Sequence, residues 1–375
     1  MTAALALLLL PLFQVEHHVE EKRARDLGVV VGRLPTGEHN AITDVPGVAV
    51  GHCTVLGGVA GDNARTGVTV IIPRLGENTF ARKVPAAVHT GNGFGKAAGF
   101  TQVQELGNIE APIALTNTLS VGTVLQAMVA RSLAVPGNEN VRSVNVVVGE
   151  TNDGWLNDIR AFHVRPEHVV AAWDAAARGP VAEGNVGAGT GTMCFGYKGG
   201  IGTSSRVVAD PACTVGVLVQ ANFGGALRID GRPLPLPGAP DVTGATEAKE
   251  AKTDGSCMIV IATDAPLDAR NLERLAKRAF LGLARTGSVM SNGSGDYAVA
   301  FSTFEGNLVP AGASEPLRTT VLPNARMTPL FEAVVDATEE AVLNALVAAR
   351  TTTGRDGHVA RAIDHAAVRA AAGGR

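Results

Sequence analysis

Thr243-Gly244-Ala245-Thr246-Glu247-Ala248-Lys249-Glu250-Ala251-Lys252-Thr253-Asp254-Gly255 runs directly into Ser256-Cys257-Met258-Ile259-Val260-Ile261-Ala262-Thr263. The first part follows four prolines (Pro233, Pro235, Pro237, Pro240) and has the polar, small-residue composition of an exposed, mobile linker. The second part is an apolar run of strand length, which predicts a fully buried strand. The change of character falls at one peptide bond, Gly255–Ser256.

Outward from this junction, short apolar runs broken by Gly and Pro alternate irregularly with helical stretches. Asn40 to Val48 reads as strand, turn, strand; Val68 to Pro73, Val84 to Thr90, Val144 to Val148, Thr214 to Gln220 and Tyr297 to Phe301 read as strands. Helices are expected over Thr118–Ala134, Pro166–Arg178, Asn271–Ala284, Pro329–Arg350 and His358–Ala372. Strand and helix runs without regular βαβ alternation favour an α+β layered fold over a doubly wound sheet. No internal repeat emerges.

Composition narrows the function. The 375 residues carry a net charge of −3, with 46% hydrophobic and only 18% charged side chains. That balance excludes a disordered chain, and the lack of a basic tract argues against nucleic-acid binding. With 45 glycines and 4% aromatics, the core is built from small aliphatic residues around many tight turns. The four cysteines stand alone, His163 and His168 are five apart, and no HExxH occurs, so neither a disulfide framework nor a metal site is expected. Ala3 to Phe13 is too short to span a bilayer, and no Lys or Arg precedes it. The reading is therefore cytoplasmic, with a periplasmic location as the alternative if Met1–Phe13 belongs to a signal peptide.

Several glycine motifs fail their chemical context. Gly91-Asn92-Gly93-Phe94-Gly95-Lys96 lacks the Ser or Thr that a Walker loop places after Lys. Gly187-Ala188-Gly189-Thr190-Gly191 follows a polar turn and not a strand. No serine sits in Gly-x-Ser-x-Gly. At Gly255–Ser256, cleavage would make Ser256 a new N-terminus fixed at a sheet edge. Its freed amine, with a pKa of about 7.7–8.0, could serve as base for its own hydroxyl. On spacing alone, a loop meeting a strand remains the commoner reading of a Gly-Ser pair.

Asn40 to Val48, Ala114 to Gly122, Glu183 to Gly191 and Lys198-Gly199-Gly200-Ile201-Gly202-Thr203-Ser204-Ser205-Arg206, in that order, resemble the DmpA family. Its members are L-aminopeptidase D-Ala-esterase/amidases, with β-peptidyl aminopeptidases as relatives. Val219 to Gly224, Gly255-Ser256 and Ser294-Gly295-Asp296 continue the match, which runs from about residue 24 to the C-terminal helices. The resemblance implies a four-layer αββα sandwich like that of ornithine acetyltransferases. It divides the chain into a 1–23 extension and one catalytic domain, 24–375, self-cleaved into segments 1–255 and 256–375. It also implies release of N-terminal residues from short peptides, amides or esters, no cofactor, and oligomers of αβ units, commonly tetramers.

Carried over by residue, the resemblance makes Ser256 the nucleophile and Gly255 the donor of the cleaved carbonyl. Asn222 becomes the oxyanion donor, Ser294 and Asp296 a relay to the Ser256 hydroxyl and amine, and Glu150 the partner of the substrate ammonium. Asn152 departs from the Tyr that better-known members carry there; its amide is the candidate second donor, and Trp155 the candidate to fill the space. Two alternatives remain: an acyltransferase on the same scaffold, whose usual nucleophile is Thr, and a non-catalytic binding protein.

Overall fold

The computed structural model describes residues 22–57, 63–235 and 255–373. The linker expected over Thr243–Asp254 and the apolar run Ala3–Phe13 lie outside the described residues.

Two sheets form the centre. The first has the order β1 (Ala49–Leu56), β2 (Arg65–Ile72), β4 (Ile113–Asn117), β5 (Val147–Thr151), with β4 and β5 parallel. The second has five long strands in the order β3 (Arg82–Gly93), β9 (Gly295–Ser302), β8 (Ser256–Thr263), β7 (Cys213–Asn222), β6 (Gly200–Val208). Two-residue strands, Asn108–Ile109 and Val309–Pro310, extend it on the β3 side.

Alternation along β8 shows why this strand had to be apolar throughout. Met258, Val260 and Ala262 pack between the sheets with Ile71, Ile113, Leu115 and Val147, whereas Cys257, Ile259 and Ile261 face the helical layer. That outer layer is α4 (Ala269–Arg285) over β3 and β9, and α5 (Thr328–Val347) over β6 and β7. Across the other sheet lie α2 (Val121–Leu133) and α3 (Pro166–Asp174), closing a third cluster through Val124, Met128, Val169 and Ala172. A short α1 (Phe100–Leu106) and a terminal α6 (His365–Ala372) complete the helices. The layers are α, β, β, α, as the resemblance implied.

Small residues set the layer spacing. A side chain on Gly202 would meet the Ala341 carbonyl at 2.0 Å, and one on Gly149 would meet Met258 Cε at 2.2 Å. Glycine at these positions lets α5 lie on β6 and brings β5 onto β8. Helix α5 is buried almost all round, between α4, the sheet and the N-terminal segment, so its apolar residues form no single stripe.

Three expectations need correction. Asn40 to Val48 is not a strand pair: Asn40 is left-handed (φ 47°), and Ile42–Asp44 is a 3₁₀ turn. Polar side chains win there. Asp44 accepts from His39 and Ala41 N–H, and Asn40 Oδ1 accepts from Ser204 Oγ and Ser205 N. The helix expected from His358 begins only at His365, where Asp364 caps the Ala366 N–H; Val359–Ala360 instead pair with Thr352–Thr353. The strand expected over Val144–Val148 runs from Val147 to Thr151, which puts Glu150 inside it.

The motif ending in Arg206 is partly framework. Arg206 is fully buried and donates to Glu340 (2.6 Å), to Ser204 Oγ and to the Val31 carbonyl; Arg25 and Asn40 bind the same carboxylate. These pairs hold the glutamate below the usual carboxylate range despite burial. Arg23 joins the fold as well, through Glu183 and the carbonyls of His39, Asn40 and Thr203.

Candidate active site

Ser256 opens β8 between two strand ends. It lies opposite Asn222 at the end of β7 and opposite Gly295 at the start of β9, so the central register alone brings these segments together. The Gly295 N–H is within reach of two acceptors, Ser256 Oγ at 3.2 Å and the Gly255 carbonyl at 3.1 Å. A Cβ on Gly255 would stand 2.3 Å from the Asn222 carbonyl and 2.5 Å from Phe223 Cα. Both are backbone atoms that cannot yield, so only glycine fits before Ser256.

The Asn222 carboxamide has one possible orientation. The Met193 N–H, which can only donate, meets Oδ1 at 2.9 Å; the Asn152 main-chain carbonyl, which can only accept, receives Nδ2 at 3.1 Å. One N–H of Nδ2 is thereby used, and the other has no partner among the described residues. Met193–Cys194 pairs with Tyr197–Lys198 in a small hairpin beneath Asn222.

Glu150 is buried at the end of β5. Its Oε1 accepts from the Lys96 main-chain N–H at 2.8 Å and its Oε2 from the Thr118 hydroxyl. Burial pushes its carboxyl upward in pKa, against the pull of those two donors. Gly95 lies against both Glu150 Oε1 and the Tyr297 ring, where a Cβ would sit 2.9 Å and 3.1 Å away. The segment rejected as a phosphate loop thus forms one wall of the carboxylate pocket.

Ser294 and Asp296 flank Gly295 and are fully enclosed. Asp296 lies opposite Cys257 in the register. Burial raises its carboxyl to about 6; the nearby Ser294 hydroxyl and Cys257 N–H offset only part of the cost, and neither meets it at full hydrogen-bond geometry. A carboxylate beside the Cys257 N–H lies one peptide unit from the amine that cleavage would free.

Asn152 behaves differently from expectation. Its side chain is exposed and its Oδ1 accepts from the Gly154 N–H at 2.9 Å, a local turn contact; only its main-chain carbonyl reaches Asn222. Trp155 does not fill the space either. It is 48% exposed and stacks on the His358 ring at 3.8 Å with an interplanar angle of 5°. Sequence reasoning missed the Gly295, Met193 and Lys96 N–H groups because main-chain donors leave no residue-type signal. Thr118 did carry one: it lies within the quoted segment Ala114–Gly122.

Comparison with known proteins gives the family. The profile of peptidase family S58 matches residues 40–360. The chain belongs to peptidase family S58. It is 45% identical over 371 residues to a β-peptidyl aminopeptidase of Sphingosinicella microcystinivorans, covering 94% of this chain and 92% of that protein. A counterpart from Sphingosinicella xenopeptidilytica is 46% identical over 365 residues, covering 92% and 89%. Among solved structures, the L-aminopeptidase D-Ala-esterase/amidase of Ochrobactrum anthropi, described as a variant of the Ntn hydrolase fold, superposes with a TM-score of 0.84. The identity is 38%, covering 93% of this chain and 97% of that one. This S58 protein is accordingly a hydrolase, an N-terminal-nucleophile aminopeptidase of the DmpA type. Among the described residues no helix is long and apolar enough to cross a membrane.

Proposed function

We propose that the S58 chain cuts itself between Gly255 and Ser256 and then removes N-terminal residues from short peptides, amino-acid amides or esters. The observation that carries this reading is the meeting of the Gly255 carbonyl, the Ser256 hydroxyl and the Gly295 N–H at one strand junction. In maturation, Ser256 Oγ attacks the Gly255 carbonyl carbon. The Gly295 N–H supports the negative oxygen, the peptide nitrogen leaves with a proton, and water hydrolyses the resulting ester.

In turnover, the freed Ser256 amine takes the hydroxyl proton as Oγ attacks the substrate carbonyl, and passes it to the leaving group. Asn222 Nδ2 donates to the oxyanion. Ser294 and Asp296 orient the Ser256 hydroxyl and amine. Similarity to the β-peptidyl enzymes extends the candidate substrates to β-amino acids. The active species is an oligomer of αβ units, with a tetramer as the working assignment.

Glu150 binds the substrate ammonium. A charged amine entering a closed pocket needs a counter-charge, and Glu150 is an enclosed carboxylate whose two hydrogen bonds favour its charged form against the effect of burial. Amino-acid p-nitroanilides with a free amine are therefore expected to turn over, while their N-acetyl forms are not. Glu150→Gln should lower kcat/KM about 10- to 100-fold, the worth of a charge-assisted hydrogen bond. Equal rates on free and acetylated substrates would refute the assignment. Acetyl transfer from acetylornithine to glutamate would instead favour the transferase reading.

Maturation should depend on pH through Asp296. A carboxyl raised to about 6 is mainly protonated below that pH and charged above it. In the proposed role of proton acceptor in the relay to Ser256, it works only when charged. Self-cleavage of chain freshly made in a cell-free system is expected to rise with pH through about 6 and level off above. In Asp296→Asn it should be slow and flat from pH 5 to 8. An unchanged pH profile in that variant would remove Asp296 from the step.

A further inference from the structure

Lys198 is among the largest fully buried side chains, yet it takes no part in the chemistry above. Its Nζ donates to the Gly189 carbonyl at 2.9 Å and to the Gly199 carbonyl at 2.8 Å. Its main chain lies opposite Met193 in the hairpin, and Met193 supplies the N–H that orients Asn222. The second buried charge is Asp153, 1% exposed, with Oδ1 accepting from Asn157 Nδ2 at 3.0 Å and Oδ2 unpartnered among the described residues. Asp153 directly follows Asn152, whose carbonyl receives the other side of the Asn222 carboxamide.

The two side chains border the same glycine loop. Burial lowers the lysine and raises the aspartate in pKa, and each is partly restored by the other. The glycine loop threads past both: the Gly189 carbonyl takes Lys198 Nζ, and a Cβ on Gly191 would stand 2.9 Å from Asp153 Cβ. Removing either side chain alters the closed polar site that the glycine loop runs through.

We propose that Lys198 and Asp153 are positioning residues for the oxyanion donor, fixing the Met193 N–H and the Asn152 carbonyl that clamp the Asn222 carboxamide. The inference rests on Asn222 being that donor. A donor held by two main-chain groups is preorganised only as well as those groups are, so loosening either reduces transition-state stabilisation and leaves ground-state binding at Glu150 intact.

The test is a double-mutant cycle on the full-length, self-processed protein with an amino-acid p-nitroanilide as substrate. Lys198→Met is expected to lower kcat about 10- to 100-fold with KM changed less than about threefold. In an Asn222→Ala background the same change should cost less than about threefold further, because the group it acts through is gone. Asp153→Asn, nearly isosteric, carries the same cycle if Lys198→Met does not accumulate as folded protein. Multiplicative losses in the double variants, an unchanged kcat, or a loss confined to KM would overturn the proposal. A full-rate Asn222→Ala would instead refute the underlying site reading.

Discussion

Ser256→Ala is expected to leave one uncut chain, whereas the wild type separates on denaturing mass spectrometry into a fragment ending at Gly255 and one beginning at Ser256. Alanine keeps the strand pairing with Asn222 and Gly295 and adds no bulk, so the fold should survive. What disappears is the oxygen that attacks the Gly255 carbonyl and, with it, the N-terminal amine that cleavage would create. Both roles vanish together. Hydrolysis should fall by on the order of 10⁶-fold, as when a nucleophile is removed from a covalent catalyst. An intact wild-type chain would defeat the maturation step. Cleavage after Gly255 in the alanine variant would show that another group cuts the bond.

Asn222→Ala is expected to lower kcat by about 10²–10³ with a small effect on KM, the loss typical of one oxyanion donor. The carboxamide makes its two fixed contacts with main-chain groups, so its truncation leaves the Met193 N–H and the Asn152 carbonyl without their partner. Some loss of thermal stability, about 1–3 kcal/mol, should accompany it. Maturation is expected to suffer less than turnover, because the Gly255 carbonyl already takes the Gly295 N–H. Steady-state kinetics beside the time course of cleavage separates the two effects. Equal loss in both would mean that one oxyanion site serves both reactions.

The strand ends also explain why main-chain groups dominate this site. Sheet pairing satisfies N–H and C=O groups along the strands, but at the junction of β7, β8 and β9 the ladder ends. Donors such as the Gly295 N–H are there available for chemistry. Glycine permits the close approach. At position 255 a Cβ would strike the Asn222 carbonyl, and at 295 it would lie 2.7 Å from the Phe94 carbonyl.

The sequence by itself determined a good part of this. The apolar run Ser256–Thr263 required a strand covered on both faces, and the side-chain alternation of that strand now supplies two of the three core clusters. Gly255, Ser256, Asn222, Ser294, Asp296 and Glu150 were assigned only through the family resemblance that the motifs carry together, and not through any single spacing. Helix existence was readable too, because α4 shows a clear apolar stripe through Leu272, Leu275, Ala279 and Leu283. Tertiary structure decided the rest. The Asn40–Val48 segment reads locally as extended, but its polar side chains find partners in Ser204, Ser205 and Glu340, distant in sequence, and these fix a turn. Asn152 has the chemistry of a donor, yet its exposed side chain accepts from the Gly154 N–H through Oδ1, and it is its main-chain carbonyl that meets Asn222. Lys198 and Asp153 look like ordinary charged residues until the fold encloses both. Residue types announce side-chain chemistry, whereas main-chain donors, buried charges and the direction of a side chain are set by which segments the sheets bring together.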